Sequence, residues 1–171
     1  MAVLSSKNIN IENVHIYRRG GMGLIAEYSE NIWVKGFSTA AHEGSPRMVT
    51  TSADATHFVS CNGKIIIEDS LFESMLDDAA NIHGIYMLVD SVLSVNTLRA
   101  HFGHFQQVGN QFADAGDKIS FVDKSNLRPI GSGVIKSIDK SDRKAYLIEM
   151  DFDLTRIENP TNIALENLSR G

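Results

Sequence analysis

The stretch NIWVKGFST (residues 31–39) has two counterparts in the same chain, NINIENVHI (8–16) and KIIIEDSLF (64–72). In each stretch two aliphatic residues flank one spacer, and this period of two predicts a β-strand with one buried face. A turn-forming residue stands two positions after each aliphatic pair: Asn13, Gly36 and Asp69. Because such a turn bends the chain into the next strand, the three stretches predict a repeated strand–turn–strand unit.

The spacing of these stretches favours a solenoid. The first two lie 23 residues apart and the second and third lie 33 apart. One coil of a parallel β-helix takes roughly twenty-odd residues, so the second gap corresponds to one coil plus a loop. The segment HEGSP (42–46) is the predicted loop. We therefore predict an all-β fold made of right-handed parallel β-helix coils. An antiparallel β-sandwich with similar strands is the alternative.

The second half of the chain has a different pattern. Tyr146, Ile148, Met150 and Phe152 alternate with Leu147, Glu149 and Asp151. The segments DKSN (123–126) and DKSDRK (139–144) are typical hairpin turns. These features predict a small antiparallel β-barrel inserted into the coils. IALENLSRG at the C-terminus resembles the first region again. The predicted organisation is therefore parallel coils over 1–85, a barrel over 86–160 and a return toward the β-helix over 161–171.

Composition narrows the function. Hydrophobic residues make up 43% of the chain, enough for a buried core. A net charge of -5 disfavours nucleic acid as a partner, because an acidic chain repels polyphosphate. The single cysteine, Cys61, excludes an internal disulfide and a multi-cysteine zinc site. Since the sequence contains no run of about 20 apolar residues, we expect no membrane span.

The predicted solenoid has no cap at either end. Solenoid coils bury their core only against neighbouring coils. We therefore expect the chain to be a fragment of a longer protein or to self-associate through the open ends of its coils.

Two clusters combine acidic residues with histidine: SADATHF (52–58) and LDDAANIHGIY (76–86). Asp54 and Asp77 lie 23 residues apart, which is the inferred length of one coil. Residues one coil apart lie on neighbouring strands about 4.8 Å apart. The two clusters should therefore meet on one patch of the surface.

Paired carboxylates at one site suit glycoside hydrolysis, in which one acts as acid and the other as base or nucleophile. The predicted catalytic residues are Asp54, Asp77 and Asp78. Four further residues are predicted to bind substrate: His57, Asn81 and His83 through sugar hydroxyls, and Trp33 as a stacking platform.

Structural interpretations of the same residues remain open. Asp77 and Asp78 before a small residue can serve as turn or capping residues. Aspartates with Asn81 are also suitable Ca²⁺ ligands, but the sequence has no calcium-binding loop, and we assign neither metal nor cofactor. RRGGMG (18–23) lacks the Lys-Ser/Thr ending of a phosphate-binding loop and is interpreted as a turn between coils.

Three longer segments carry a resemblance to a known family: DATHF (54–58), CNGKIIIEDSLFESMLDDAANIHGIY (61–86) and RAHFGHFQQVGNQFADAGDKISFVD (99–123). They resemble glycoside hydrolase family 110, whose members are exo-acting α-1,3-galactosidases. The resemblance implies a right-handed parallel β-helix with small β-barrel insertions, a galactoside substrate and an inverting mechanism.

The family's acidic positions fall on Asp54, Asp77 and Asp78, all present here. Family members are considerably longer than this chain. The resemblance also implies an extracellular or periplasmic location, although this chain contains no signal peptide. Two alternatives remain, a non-catalytic β-helix segment that binds glycan or builds structure, and a β-helix polysaccharide lyase.

Overall fold

The computed structural model describes residues 1–170 and divides into two compact units, Met1–His83 and a second unit beginning at Gly84. Both units are built from β-strands. Three short 3₁₀ helices occur in the second unit, at Phe105–Gln107, Leu154–Arg156 and Pro160–Asn162. Within the described residues, no helix is long and apolar enough to cross a membrane.

The first unit contains ten strands in three parallel sheets. The strands are β1 (Ala2–Leu4), β2 (Lys7–Glu12), β3 (His15–Ile16), β4 (Leu24–Glu27), β5 (Glu30–Lys35), β6 (Ser38–Thr39), β7 (Thr56–Val59), β8 (Asn62–Glu68), β9 (Leu71–Phe72) and β10 (Ala80–His83). The sheet orders are β1-β4-β7-β10, β2-β5-β8 and β3-β6-β9. The chain therefore visits the three sheets in turn and then begins the next round.

Strand register confirms the alignment of the three repeated stretches. Ile32 pairs with Ile9 on one side and Ile65 on the other, and Val34 pairs in the same way with Ile11 and Ile67. Every strand pair of this unit is parallel. The antiparallel sandwich is therefore excluded for the first unit.

Residues with positive φ recur once per round, at the corners between the sheets and near the starts of β2, β5 and β8. They form three columns with one member per round: Ser5, Tyr28 and Ser60; Asn8, Asn31 and Gly63; and Asn13, Gly36 and Asp69. Left-handed backbone suits Gly and Asn better than most residues, which explains the turn formers of the third column. The predicted turns are confirmed.

The second column is also connected through side chains. Asn31 Nδ2 donates to Asn8 Oδ1 at 3.2 Å, and the Lys64 backbone N–H donates to Asn31 Oδ1 at 3.1 Å. A Cβ atom at Gly63 would collide with Asn31 Oδ1, so glycine completes this column.

The middle round forms the core of the first unit. Its inward side chains Ile32, Val34 and Phe37 are fully buried, whereas Ile65 and Ile67 of the following round are only partly buried. Cys61 belongs to this core. Ile82 on the edge strand β10 is 53% exposed, because no further strand follows β10 in its sheet.

The second unit is a closed six-stranded antiparallel barrel. Its strands are β11 (Tyr86–Val92), β12 (Thr97–Phe102), β13 (Lys118–Asp123), β14 (Arg128–Asp139), β15 (Ala145–Met150) and β16 (Ile163–Asn167). They close in the order β11-β12-β15-β14-β13-β16. The predicted small barrel is confirmed, and both predicted hairpin turns connect neighbouring strands.

The C-terminal segment differs from the prediction for 161–171. β16 pairs with β11 and β13, so it closes the barrel and does not return to the parallel sheets. Ile163, Leu165 and Asn167 face the interior and are buried. An alternating strand pattern records which face is buried but not whether the neighbouring strand is parallel, and this explains the error.

Replacing Asn31 tests the second column of residues with positive φ. Asn31→Ala removes two hydrogen bonds and places alanine at a φ of 55°. We expect the free energy of unfolding to fall by about 1–3 kcal/mol. Asn31→Gly is the matched control, because it loses the same hydrogen bonds without the backbone strain and should cost less. Urea unfolding measures the free energy of unfolding of both variants. An equal loss in the two variants would contradict backbone strain at position 31.

Candidate active site

The predicted catalytic residues lie just before the first residues of two neighbouring strands. Asp54 precedes β7, and Asp77 and Asp78 precede β10. Thr56 pairs with Ala80, and the Ala55 N–H donates to the Asp78 carbonyl at 2.8 Å. This register makes Asp78 the direct neighbour of Asp54, with Asp77 one residue earlier. The structure therefore brings the two acidic clusters together.

The three carboxylates form one group. One oxygen from each of Asp54, Asp77 and Asp78 lies within 4.8 Å of the others. Their environments differ, since Asp54 is only 3% exposed, whereas Asp77 and Asp78 face solvent. The group thus combines one buried carboxylate with two that a ligand can approach.

Asp54 is held through both of its carboxylate oxygens. Oδ2 lies 2.5 Å from His57 Nδ1, and Oδ1 accepts the backbone N–H of Asp78 at 3.3 Å. The Asp54 carbonyl also accepts the Gly23 N–H at 2.9 Å. These contacts fix both the side chain and the backbone of Asp54.

Gly23 is required by the close packing at this point. A Cβ atom on Gly23 would collide with the Ala55 carbonyl oxygen, one residue from Asp54. Glycine therefore allows the backbone to pass directly beside the entrance to β7.

A pair of histidines continues from Asp54. His57 Nε2 lies 2.9 Å from His83 Nε2, and the rings meet edge to face with centroids 4.8 Å apart. His57 pairs in register with Asn81, so Asn81 and His83 lie on the same outward face of the sheet as His57. Asp54, His57 and His83 consequently form one hydrogen-bonded chain.

The chain of contacts constrains the imidazole tautomers. An ionised carboxylate only accepts hydrogen bonds, so His57 Nδ1 must donate to Asp54. When both rings are neutral, His57 Nε2 is then an acceptor and His83 Nε2 is its donor. Sugar binding by both histidines stays a prediction, and the structure adds that the two rings contact each other. The spacing of three residues between Asp54 and His57 is the signal that could have indicated the contact between these two residues.

Trp33 lies in a different sheet from this group. It lies on β5, in the sheet β2-β5-β8, where Asn10 and Ile66 are its register neighbours. The Lys35 ammonium group lies 5.6 Å from the centre of its ring. The indole Nε1 is buried, and no hydrogen-bond partner for it occurs among the described residues. The structure therefore joins six of the seven predicted site residues, and Trp33 belongs to another sheet.

Comparison with known proteins shows what this chain is similar to. Residues 97–157 match the family model described as GLAA-B beta-barrel domain II, which lies within the barrel unit. The chain is 38% identical over 170 residues to alpha-1,3-galactosidase B of Parabacteroides distasonis, covering 94% of this chain. This chain is similar in sequence to proteins named α-1,3-galactosidase.

Two other members of this group support the relationship. Alpha-1,3-galactosidase A of Shewanella woodyi is 33% identical over 86% of this chain, and alpha-1,3-galactosidase B of Akkermansia muciniphila is 32% identical over 87%. The resemblance noted in the sequence is confirmed. The chain spans 28%, 24% and 19% of the lengths of these three α-1,3-galactosidases.

Histidine tautomers provide a direct test of the site geometry. We expect His57 to carry its proton on Nδ1 and His83 on Nε2 at a pH where both rings are neutral. Long-range ¹H–¹⁵N correlation spectra distinguish the two tautomers. Asp54→Asn should change the tautomer populations of His57, whereas Asp77→Asn should leave them unchanged. A His57 protonated on Nε2 in the unchanged chain would contradict the described contacts.

Proposed function

We propose that this chain is part of a glycoside hydrolase that removes terminal α-1,3-linked galactose from glycans. The observation that carries the proposal is the group of Asp54, Asp77 and Asp78, one carboxylate buried and fixed and two exposed. The relationship to α-1,3-galactosidases supplies the substrate class. Because the chain covers only part of each of these proteins, we propose the substrate and the activity for the whole protein to which it belongs.

The proposal includes a right-handed parallel β-helix for the first unit. Its support is the succession of strands through three parallel sheets, with neighbours three strands apart in the chain. Crossovers between parallel strands are right-handed in about 98% of known cases. A solenoid of this kind places equivalent residues of successive rounds side by side, as seen for Asp54 and Asp78.

In the proposed reaction one carboxylic acid protonates the glycosidic oxygen, and one carboxylate acts on a water that attacks the anomeric carbon. The C–O bond to the leaving sugar breaks as the bond to water forms, and the water's proton passes to the base. Asp54 and one of Asp77 and Asp78 share these two roles. The remaining aspartate positions the galactose, together with Asn81.

Inversion is the proposed stereochemical course, and it sets a geometric requirement. Inverting enzymes separate their carboxyl groups by roughly 6.5–9.5 Å to leave room for water. The closest oxygens here lie within 4.8 Å. Because Asp77 and Asp78 are exposed, their side chains can rotate to admit water, whereas Asp54 is held in place. We assign His57 and His83 to the positioning of Asp54, and Trp33 to a stacking role outside the acidic group.

The proposal is tested with an α-1,3-linked galactobiose. NMR follows the anomeric proton of the released galactose, and we expect the β anomer first. Asp54→Asn and Asp78→Asn should each lower turnover by at least about a hundredfold, since each removes a proton-transfer group. Asp69→Asn is the matched control, because Asp69 is an exposed aspartate at a corner of another sheet.

Calorimetry with galactose provides a second readout, because a partial site can bind sugar without cleaving a disaccharide. Binding that disappears in Asp54→Asn supports the site. Absence of both turnover and binding would favour the structural alternative. The activity assay is repeated with a chelator, since clustered carboxylates are also suitable ligands for Ca²⁺. Cleavage of an acidic glycan that chelator abolishes, without release of galactose from the neutral disaccharide, would indicate the β-helix lyase.

The proposal also covers where the protein is located and whether it self-associates. We place the protein outside the cytoplasm because of its relationship to glycan-degrading enzymes. The exposed edge of β10, with Ile82 on its inward face, is the proposed surface for self-association. Sedimentation velocity tests this surface: a dimer that Ile82→Lys dissociates is expected, and a monomer at all concentrations would contradict it.

A further inference from the structure

One cavity of the first unit is lined by basic side chains. It has a volume of about 570 Å³ and opens to solvent. Its main lining residues are Arg18, Arg19, Arg47, Thr50 and Ser52. No carboxylate contributes to the lining. The volume falls within the range of roughly 300–1,000 Å³ typical of small-ligand sites.

The three guanidinium groups have no protein partner. Within residues 1–170, none of Arg18, Arg19 and Arg47 forms an ion pair or a side-chain hydrogen bond. By contrast, Lys7 and Lys35 of the same unit are paired with Glu30 and Glu68. Three unpaired cations around one cavity are unusual in a chain whose net charge is -5.

The backbone at the rim of this cavity is braced. The Arg19 N–H donates to the Thr50 carbonyl at 2.7 Å, and the Ser52 N–H donates to the Arg19 carbonyl at 3.3 Å. Ser52 Oγ also accepts the Gly21 N–H at 2.7 Å, which leaves the Ser52 hydroxyl hydrogen able to donate to a ligand. Positive φ at Gly21 permits the turn that makes this contact.

We propose that this arginine cavity binds an oxyanion carried by a glycan, either a carboxylate or a sulfate ester. Guanidinium groups recognise such groups through paired N–H donors, and Ser52 adds a further donor. A long polyanion does not suit the site, because the rest of the acidic surface would repel it. A single anionic substituent interacts mainly with the nearby arginines, since screening limits other charges to about 8 Å.

The choice of a glycan rests on the proposed function, whereas the anion site itself does not. The same chain segment runs from Thr50 and Ser52 at the cavity to Asp54 in the acidic group. An anionic sugar is repelled by three carboxylates and attracted by three arginines. The structure thus assigns the neutral galactose to the acidic group and an anionic neighbouring residue of the glycan to the arginine cavity.

Inorganic sulfate is the first probe, titrated by calorimetry at low ionic strength. We expect Arg19→Gln and Arg47→Gln each to weaken sulfate binding by roughly tenfold, the loss of one charge-assisted contact. Lys64→Gln is the matched control, because it removes one exposed positive charge on β8 without touching the cavity. No sulfate binding, or an equal loss in the Lys64→Gln variant, would overturn the anion site.

Oligosaccharides with the same sugar backbone test the source of the anion. We expect a carboxylated or sulfated galactan fragment to bind more tightly than the neutral one, and Arg47→Gln to remove the difference. Sulfate binding without any preference for the charged glycans would overturn the glycan assignment. Galactose binding that is lost in Asp54→Asn but kept in Arg47→Gln separates this outcome from failure of the proposed galactosidase site.

Discussion

Parallel hydrogen bonding between β7 and β10 places Thr56 opposite Ala80, and the acidic site depends on this register. It positions Asp78 beside Asp54 and directs the Asp78 N–H to an Asp54 oxygen. The same pairing places His57 opposite Asn81 on the outward face. A slip of one residue would turn these side chains toward the opposite face and disperse the group.

The site uses two kinds of environment within a few residues. Asp54 is enclosed by its own loop, His57 and the Asp78 backbone, so its orientation is fixed by the fold. Asp77 and Asp78 occupy the exposed approach to the edge strand. A buried carboxylate and exposed ones can take different parts in acid–base chemistry. The arginine cavity lies along the same chain segment and carries the opposite charge, so the unit presents two chemically distinct surfaces to a ligand.

The sequence predicted much of this arrangement because the relevant signals are local and repeated. Aliphatic pairs and turn formers revealed the parallel pairing of Ile9, Ile32 and Ile65, and coil length revealed the meeting of Asp54 with the Asp77–Asp78 pair. The role of β16 was not predictable, since alternation is the same in parallel and antiparallel partners. Neither was the contact between His57 and His83, because side-chain direction within a face depends on packing that the pattern does not encode.

The most direct test of the central claim is a titration of the chain with galactose, followed by backbone amide NMR shifts. The account predicts that the largest shifts occur at Asp77, Asp78 and Asn81, with smaller changes in the barrel unit, and that Asp54→Asn suppresses them. Shifts confined to the barrel, or shifts unaffected by Asp54→Asn, would contradict a galactose site built on the three carboxylates.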